Sequence, residues 1–312
     1  MLVGHDQRSD SPLCRRTGQA GAPVNPIVEP PAHAVRDAVE RALAEDLTPL
    51  GDITSALLAP TATASGVLVA REQGVIAGTA CVAETCRQVD PALAVSWSRR
   101  DGDEVSPGTT IGRIDGPLAP MLTAERTALN FLGHLSGVAT MAARYRDAAG
   151  DATLVWDTRK TTPGLRALEK AAVRAGGCVN HRGNLSEWVM LKDNHLVGTN
   201  ISAAVARARA QWPGRTVQVE CDRIDQVDEA VEAGATAVLL DNMAPDQAAE
   251  AVELVRAQRP EVLVEISGGI TIDTIATYGK VGADCISVGA ITNSAPVLDI
   301  GLDIIPEGEG IA

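Results

Sequence analysis

The segment Thr158–His195 holds Arg159, Lys160, Arg166, Lys170, Arg174, His181, Arg182, Lys192 and His195. The chain around it is acidic, with 27 Lys and Arg against 40 Asp and Glu and a formal charge of −13. Such crowding of cations suits a pocket for a small, strongly anionic ligand. Guanidinium and ammonium groups hold carboxylates and phosphates through charge-assisted hydrogen bonds.

These residues must be positioned by the elements around them. From Asp151 the sequence alternates strand-like runs (153–157, 189–192, 216–220, 237–240, 262–266 and 285–288) with helix-like runs (about 164–175, 201–210, 225–233, 245–258 and 271–279). Repeated βα units imply a parallel sheet with right-handed crossovers. Six strands are clear and Cys178–His181 is a candidate seventh. That is short of eight, so an incomplete (β/α) barrel fits best, with a doubly wound open sheet as the alternative. The C-terminal ends of barrel strands converge on one face. Arg159 and Lys160, Lys192 to Asn194, Glu220 and Asp222, Asp241 and Asn242, and Ser267 to Gly269 each end or follow a strand, so they would meet there.

Gly268 and Gly269 precede a helix expected from Thr271, and Gly289 follows the last strand. Glycine lets backbone N–H groups approach a phosphate, and a helix N-terminus adds a favourable dipole. Neither a Walker A sequence nor a dinucleotide-binding fingerprint is present. Glu220 and Asp241 are separate carboxylates that could share Mg²⁺ with substrate phosphates, or accept hydrogen bonds from sugar hydroxyls. His181 and His195 lack a cysteine at a spacing that would make a zinc site. The set suits a phosphorylated sugar with an acidic co-substrate.

Composition narrows the class. Hydrophobic residues reach 45% while Phe, Trp and Tyr make only 2%, so Ala, Val, Leu and Ile must pack the core, as in buried parallel strands under Ala-rich helices. The acidic balance argues against binding nucleic acid or anionic membrane, and no apolar run reaches 18 residues. Cys14, Cys81, Cys86, Cys178, Cys221 and Cys285 are scattered and read as free thiols in a reducing cytosol, so a cytoplasmic location is expected. Residues 1–29 are polar, lack the apolar stretch of a secretory signal, and read as a disordered tail.

The first half reads as an α+β unit. A helix is expected over 31–46 and another near 79–89, with strands at 65–71, 74–77, 93–98 and 110–114. A long helix is expected over 120–149, starting at Thr123, with Gly133 and Gly137 placed for close backbone approach. Residues 101–116 are similar to the hammerhead turn of biotinyl and lipoyl carriers, but no lysine precedes Lys160, which argues against a carrier role and for shared backbone geometry.

Several motifs follow one another along the chain: AERTALN and HLSG within 124–137, TRKTTPGLRALEK, AGG with VNHR, KDNH, the run VQVE at 217–220, LLDN, EISGGI and ISVGAIT. Together they closely resemble the quinolinate phosphoribosyltransferase family over about residues 31–305. The resemblance implies an α/β fold with an N-terminal α/β sandwich domain (30–150), a C-terminal incomplete (β/α) barrel (151–293) and a last segment (294–312) returning to the first domain. It implies a homodimer with shared sites. It also implies transfer of phosphoribosyl from phosphoribosyl pyrophosphate to quinolinate with decarboxylation, giving nicotinate mononucleotide, pyrophosphate and CO₂, with Mg²⁺ required.

Carried over by motif, Arg159, His181, Arg182 and Lys192, with Lys160 beside them, match the family's quinolinate-binding cations. Arg126 matches an arginine lent by the neighbouring subunit. Glu220 and Asp241 match the acidic pair near ribose and Mg²⁺, and Ser267, Gly268, Gly269 and Gly289 match the phosphate loops. Lys160, Lys192, Glu220 and Asp241 are the expected catalytic groups. Arg166, Lys170 and Arg174, at helical i, i+4 spacing, are left as a solvated helix face or a subunit contact.

The chain departs from the family pattern at Ala171, Cys178, Asn184, Glu187 and Asn293. A paralogous phosphoribosyltransferase for another pyridine or aromatic acid, or a non-catalytic binding protein, stays open on those positions. The molybdenum-transport-associated paralogues share the Ser-Glu step at 186–187 but tend to lose Lys-Asp-Asn-His, intact here at 192–195.

Overall fold

The computed structural model describes residues 29–306, so the expected tail lies outside them apart from Glu29. The first helix, α1 (Ala32–Leu47), buries Val35, Ala38, Val39 and Leu43, a one-sided stripe at helical spacing. β1 (Thr63–Ala70) alternates in burial, as a strand with one face on a core must. Then come β2 (Gly74–Val75), α2 (Thr79–Val89), β3 (Ala94–Trp97), β4 (Glu104–Val105) and β5 (Thr110–Pro117). The long helix α3 (Leu118–Ala149) starts ahead of Thr123. Pro120 lies in its first turn, where backbone N–H groups have no helical partner and a missing one costs little.

The barrel half runs β6 (Leu154–Trp156), α4 (Arg166–Ala175), β7 (Val189–Leu191), α5 (Ile201–Gln211), β8 (Val217–Cys221), α6 (Ile224–Glu232), β9 (Ala237–Asp241), α7 (Pro245–Gln258), β10 (Leu263–Ser267), α8 (Ile275–Tyr278), β11 (Cys285–Ser287) and α9 (Ala290–Asn293). Its six strands are parallel in the order β6-β11-β10-β9-β8-β7. The candidate seventh strand at 178–181 is a single parallel bridge, Val179 to Trp156. No helix follows it; the chain turns back toward β7, whose first N–H bonds the Thr216 carbonyl at the foot of β8. The barrel wall is therefore open between residues 178–181 and β7. A cavity of about 430 Å³ at this opening is lined by Trp156, Lys170, His181, Glu187 and Trp188, among others.

The last strand, β12 (Ile300–Pro306), leaves the barrel and pairs antiparallel with β1, completing a sheet ordered β12-β1-β5-β3. To reach it, residues 296–298 cross α3 at its two glycines. A Cβ on Gly137 would land on the Pro296 carbonyl oxygen, and one on Gly133 would come within 3.0 Å of the Leu298 carbonyl oxygen. The Leu298 N–H donates to the Gly133 carbonyl at 3.0 Å. α3 serves both halves. Met121, Ala124, Ala128 and Leu132 pack on the antiparallel sheet, while Leu135, Val138, Ala142 and Tyr145 join the barrel core.

Candidate active site at the barrel mouth

Strand alternation decides which side chains enter the barrel. Val219, Val238, Leu240, Val264 and Ile266 belong to the apolar layer under the helices. Their neighbours Gln218, Glu220, Leu239, Asp241, Glu265 and Ser267 therefore face the interior. Because all the strands run the same way, Arg159, Lys160, His181, Arg182, Lys192, Glu220, Asp241, Ser267, Gly268, Gly269 and Gly289 lie at or just beyond the C-terminal end of the barrel. Arg126 does not. It is exposed on the sheet-covering half of α3, and among the described residues no hydrogen bond or ion pair joins it to the mouth.

The mouth concentrates positive charge. Arg182 is half-buried, spanning the opening in the wall to the Trp188 carbonyl (3.3 Å) and the Met190 Sδ (3.3 Å). Burial pushes its pKa down, and the neighbouring Arg159 charge pushes it further the same way. Arg159 buries its Nε without a hydrogen-bond partner. Two guanidinium groups, one repelling the other and one with an unpaired donor, make a place for an anion.

His181 turns into the barrel instead. Its Nδ1 accepts from the Arg182 N–H at 2.7 Å, so its Nε2 carries the ring proton and donates to Glu265 at 3.2 Å. Both ring nitrogens are thus engaged by groups of the protein. It packs edge-on against Trp156 and Trp188, with ring centroids 5.4 and 4.7 Å away. Glu265 is fully buried and also accepts from the Gln218 amide at 2.6 Å.

On the far side of the mouth Lys192 forms an ion pair with Glu220. Asp241, half-buried at the end of β9, accepts from the Asn242 amide at 2.7 Å. Among the described residues no group of three or more His, Cys, Asp or Glu is arranged to hold a metal. Two hard oxygen donors facing one mouth fit Mg²⁺, which takes few protein carboxylates and fills its shell with water and phosphate oxygens.

Next to Asp241, Asn242 adopts a left-handed φ of 55° and Gly268 a φ of +90°. A Cβ on Gly268 would sit 2.8 Å from the Asn242 backbone nitrogen, so both the conformation and the close approach require glycine. Ser267 and Ser287 bond through their hydroxyls at 2.9 Å, tying β10 to β11. A Cβ on Gly289 would lie 2.9 Å from Lys160 Cδ and 3.6 Å from both Lys160 Nζ and Asn293 Nδ2, so these three residues share one corner. The dipole expected from a helix at Thr271 is absent. α8 and α9 are four residues each, and α8 begins only at Ile275. Backbone N–H groups, hydroxyls and Lys160 supply the polar contacts of this corner.

The family model described as "Quinolinate phosphoribosyl transferase, N-terminal domain" matches residues 52–136, and the one described as "Quinolinate phosphoribosyl transferase, C-terminal domain" matches residues 138–303. The chain belongs to the quinolinate phosphoribosyltransferase family. The junction of the two matches falls inside α3, the helix that both halves share. A nicotinate-nucleotide pyrophosphorylase [carboxylating] of Mycobacterium leprae is 40% identical over 277 residues, covering 87% of this chain and 97% of that protein. A probable enzyme of the same name from Bacillus subtilis is 36% identical, covering 84% and 90%. The nicotinate-nucleotide pyrophosphorylase structure from Francisella tularensis superposes with a TM-score of 0.84 at 34% identity, covering 89% of this chain and 99% of that one.

Within this family fold, the departures from the motifs sort by position. Cys178 is buried against α3, its thiol donating to the Ala142 carbonyl at 3.1 Å, and burial raises its pKa to about 12. It is packing, not chemistry. Asn184 and Glu187 bond each other at 3.0 Å, and Glu187 also accepts from the Gly183 N–H at 2.8 Å, so the two changes close one loop together. Asn293 lies at the mouth beside Lys160, and Glu187 also lines the cavity with His181 and Arg182.

Lys170 corrects the sequence reading: it is buried and bonded to Asp157, not solvated. Glu265, Gln218 and Asp157 were not singled out from the sequence as site residues. The available signal was a charged or polar residue at alternate positions of otherwise apolar barrel strands.

Proposed function

We propose that this chain is a carboxylating nicotinate-nucleotide pyrophosphorylase, a pentosyltransferase of NAD biosynthesis. It joins quinolinate to phosphoribosyl pyrophosphate and releases nicotinate mononucleotide, pyrophosphate and CO₂. The observation that carries this reading is the half-buried Arg159–Arg182 pair, with repulsion between the guanidiniums and a buried unpaired Nε. Quinolinate is a ring with two adjacent carboxylates, and paired guanidiniums answer that geometry.

Lys160, Ser267, Gly268, Gly269 and Gly289 form the corner suited to the phosphates. Glu220 and Asp241 would hold Mg²⁺, which when bound offsets charge on the pyrophosphate leaving group. As the bond from ribose C1 to pyrophosphate breaks, the sugar becomes oxocarbenium-like, and the pyridine nitrogen supplies the new bond. Lys192, positioned by Glu220, stays within the cationic field that balances this charge. The ring is then a pyridinium. Its C2–carboxylate bond breaks, CO₂ leaves, and the electron pair left at C2 is stabilised by the adjacent positive nitrogen until it takes a proton.

The active form is proposed to be a homodimer in which Arg126 reaches the partner's mouth. Arg126 lies one helical turn from Thr123, whose hydroxyl bonds Asp52 at 2.9 Å. That bond holds a loop bearing the exposed apolar residues Leu50, Ile53 and Leu57 beside it. Among the described residues no helix is long and apolar enough to cross a membrane. The five described cysteines are free, which supports a reducing, cytoplasmic setting.

Purified protein incubated with Mg²⁺, phosphoribosyl pyrophosphate and quinolinate should yield nicotinate mononucleotide. Turnover of a different aromatic acid in its place would move the chain to a paralogous activity.

A further inference from the structure

Helix α4 presents a charged face to the barrel wall, formed by Arg166, Glu169 and Lys170 at i, i+3 and i+4. Its bonds reach two segments. One is Asp157–Thr162, which carries Arg159 and Lys160; the other is Asn180–Gly183, which carries His181 and Arg182. Lys170 Nζ donates to both Asp157 carboxylate oxygens at 2.7 and 2.8 Å and to the His181 carbonyl at 2.8 Å. Asp157 in turn accepts from the His181 N–H at 2.7 Å and the Asn180 amide at 2.9 Å. Arg166 donates to the Gly183 carbonyl at 3.1 Å and the Arg159 carbonyl at 3.5 Å, bridging the segments directly. Glu169 is fully buried, accepts from the Thr162 N–H at 3.1 Å and meets His134 of α3 at 2.8 Å.

The buried Asp157–Lys170 pair carries a desolvation cost that apolar packing would avoid. Burial pushes the Asp157 carboxyl up and the Lys170 ammonium down, so desolvation outweighs the attraction within the pair. Replacing such a pair with apolar groups of similar volume is often neutral or stabilising. Elsewhere the layer between strands and helices is apolar, with Val155, Val219, Val238, Val264 and Ile286. The charged patch sits where the wall is held by the single Val179–Trp156 bridge.

We propose that α4 is the positioning helix of the acid pocket: Arg166 and the Asp157–Lys170 pair set the spacing between Arg159–Lys160 and His181–Arg182, and that spacing selects a ring with two adjacent carboxylates. The inference rests on the quinolinate reading. These residues act through the cations they hold.

Arg166→Met keeps the side-chain stem and removes the bridge, while Arg166→Lys restores a donor. Asp157→Asn combined with Lys170→Met removes both buried charges without stranding either. KM for quinolinate should rise about tenfold or more in Arg166→Met and in the double variant, while KM for phosphoribosyl pyrophosphate moves less than about threefold. Arg166→Lys should recover part of the loss, and the thermal midpoint of Arg166→Met should stay near that of the parent. An unchanged quinolinate KM in both variants, or an equal rise for both substrates, overturns the proposal. Crystal structures of the parent and Arg166→Met separate this inference from the catalytic one. A parent inactive on quinolinate sinks the proposed reaction. A shift of Asn180–Gly183 relative to β6 in the variant still supports the clamp, and an unmoved segment overturns it.

Discussion

Arg159 follows β6 and Arg182 follows the single Val179 bridge, yet the Arg159 charge acts on Arg182 at one mouth. The ion pair of Lys192 with Glu220 belongs to the same electrostatic design, since it aims an ammonium into the mouth from β7. Lys192→Ala should therefore cost about 2–4 kcal/mol of transition-state stabilisation, a loss of roughly 30- to 1,000-fold in kcat/KM. Steady-state kinetics on a variant with unchanged thermal unfolding tests this, and near-normal activity would remove Lys192 from the site. The charged residues of the mouth were legible in the sequence because each follows an apolar run, and such runs end at one face of a barrel. The roles of Lys170 and His181 were not. Helical spacing alone cannot tell a solvated cation from one facing a buried aspartate, and Asp157 is brought to Lys170 only by the packing of α4 on β6. The partners of His181, Glu265 and the Arg182 N–H, are fixed by the fold and by the backbone conformation.

Among the elements, α3 is the one on which both domains depend, because its two ends close two cores. The C-terminal segment crosses it at Gly133 and Gly137, and the sequence marked both glycines as sites of close approach. Gly137→Ala should destabilise the protein by about 1–3 kcal/mol, since the added methyl meets backbone, not a flexible side chain. A urea unfolding curve measures this, and an unchanged midpoint would mean the crossing can relax. Helices with strong apolar periodicity were read well; α7 spans the expected residues 245–258. The shortened α8 was not, because residues 271–274 form a turn closed by the Thr271 N–H and the Thr274 hydroxyl at 3.0 Å. The seventh strand was equally beyond reach, since only tertiary pairing decides whether Val179 makes one bridge or a ladder.

At the scale of the whole molecule, the proposed homodimer completes the site at each mouth with Arg126 from a second chain. Arg126→Ala and Lys192→Ala should each lose most activity alone. In a mixed dimer one of the two sites carries neither substitution, so an equal mixture after subunit exchange should recover about a quarter of parental activity. No recovery from verified mixed dimers would place Arg126 outside the partner's site. The central claim is the reaction itself, and it is tested most directly with quinolinate labelled in its 2-carboxylate carbon. With Mg²⁺ and phosphoribosyl pyrophosphate, labelled CO₂ should appear in equal amount with nicotinate mononucleotide and pyrophosphate. Nucleotide formed without labelled CO₂, or no nucleotide at all, would contradict the account.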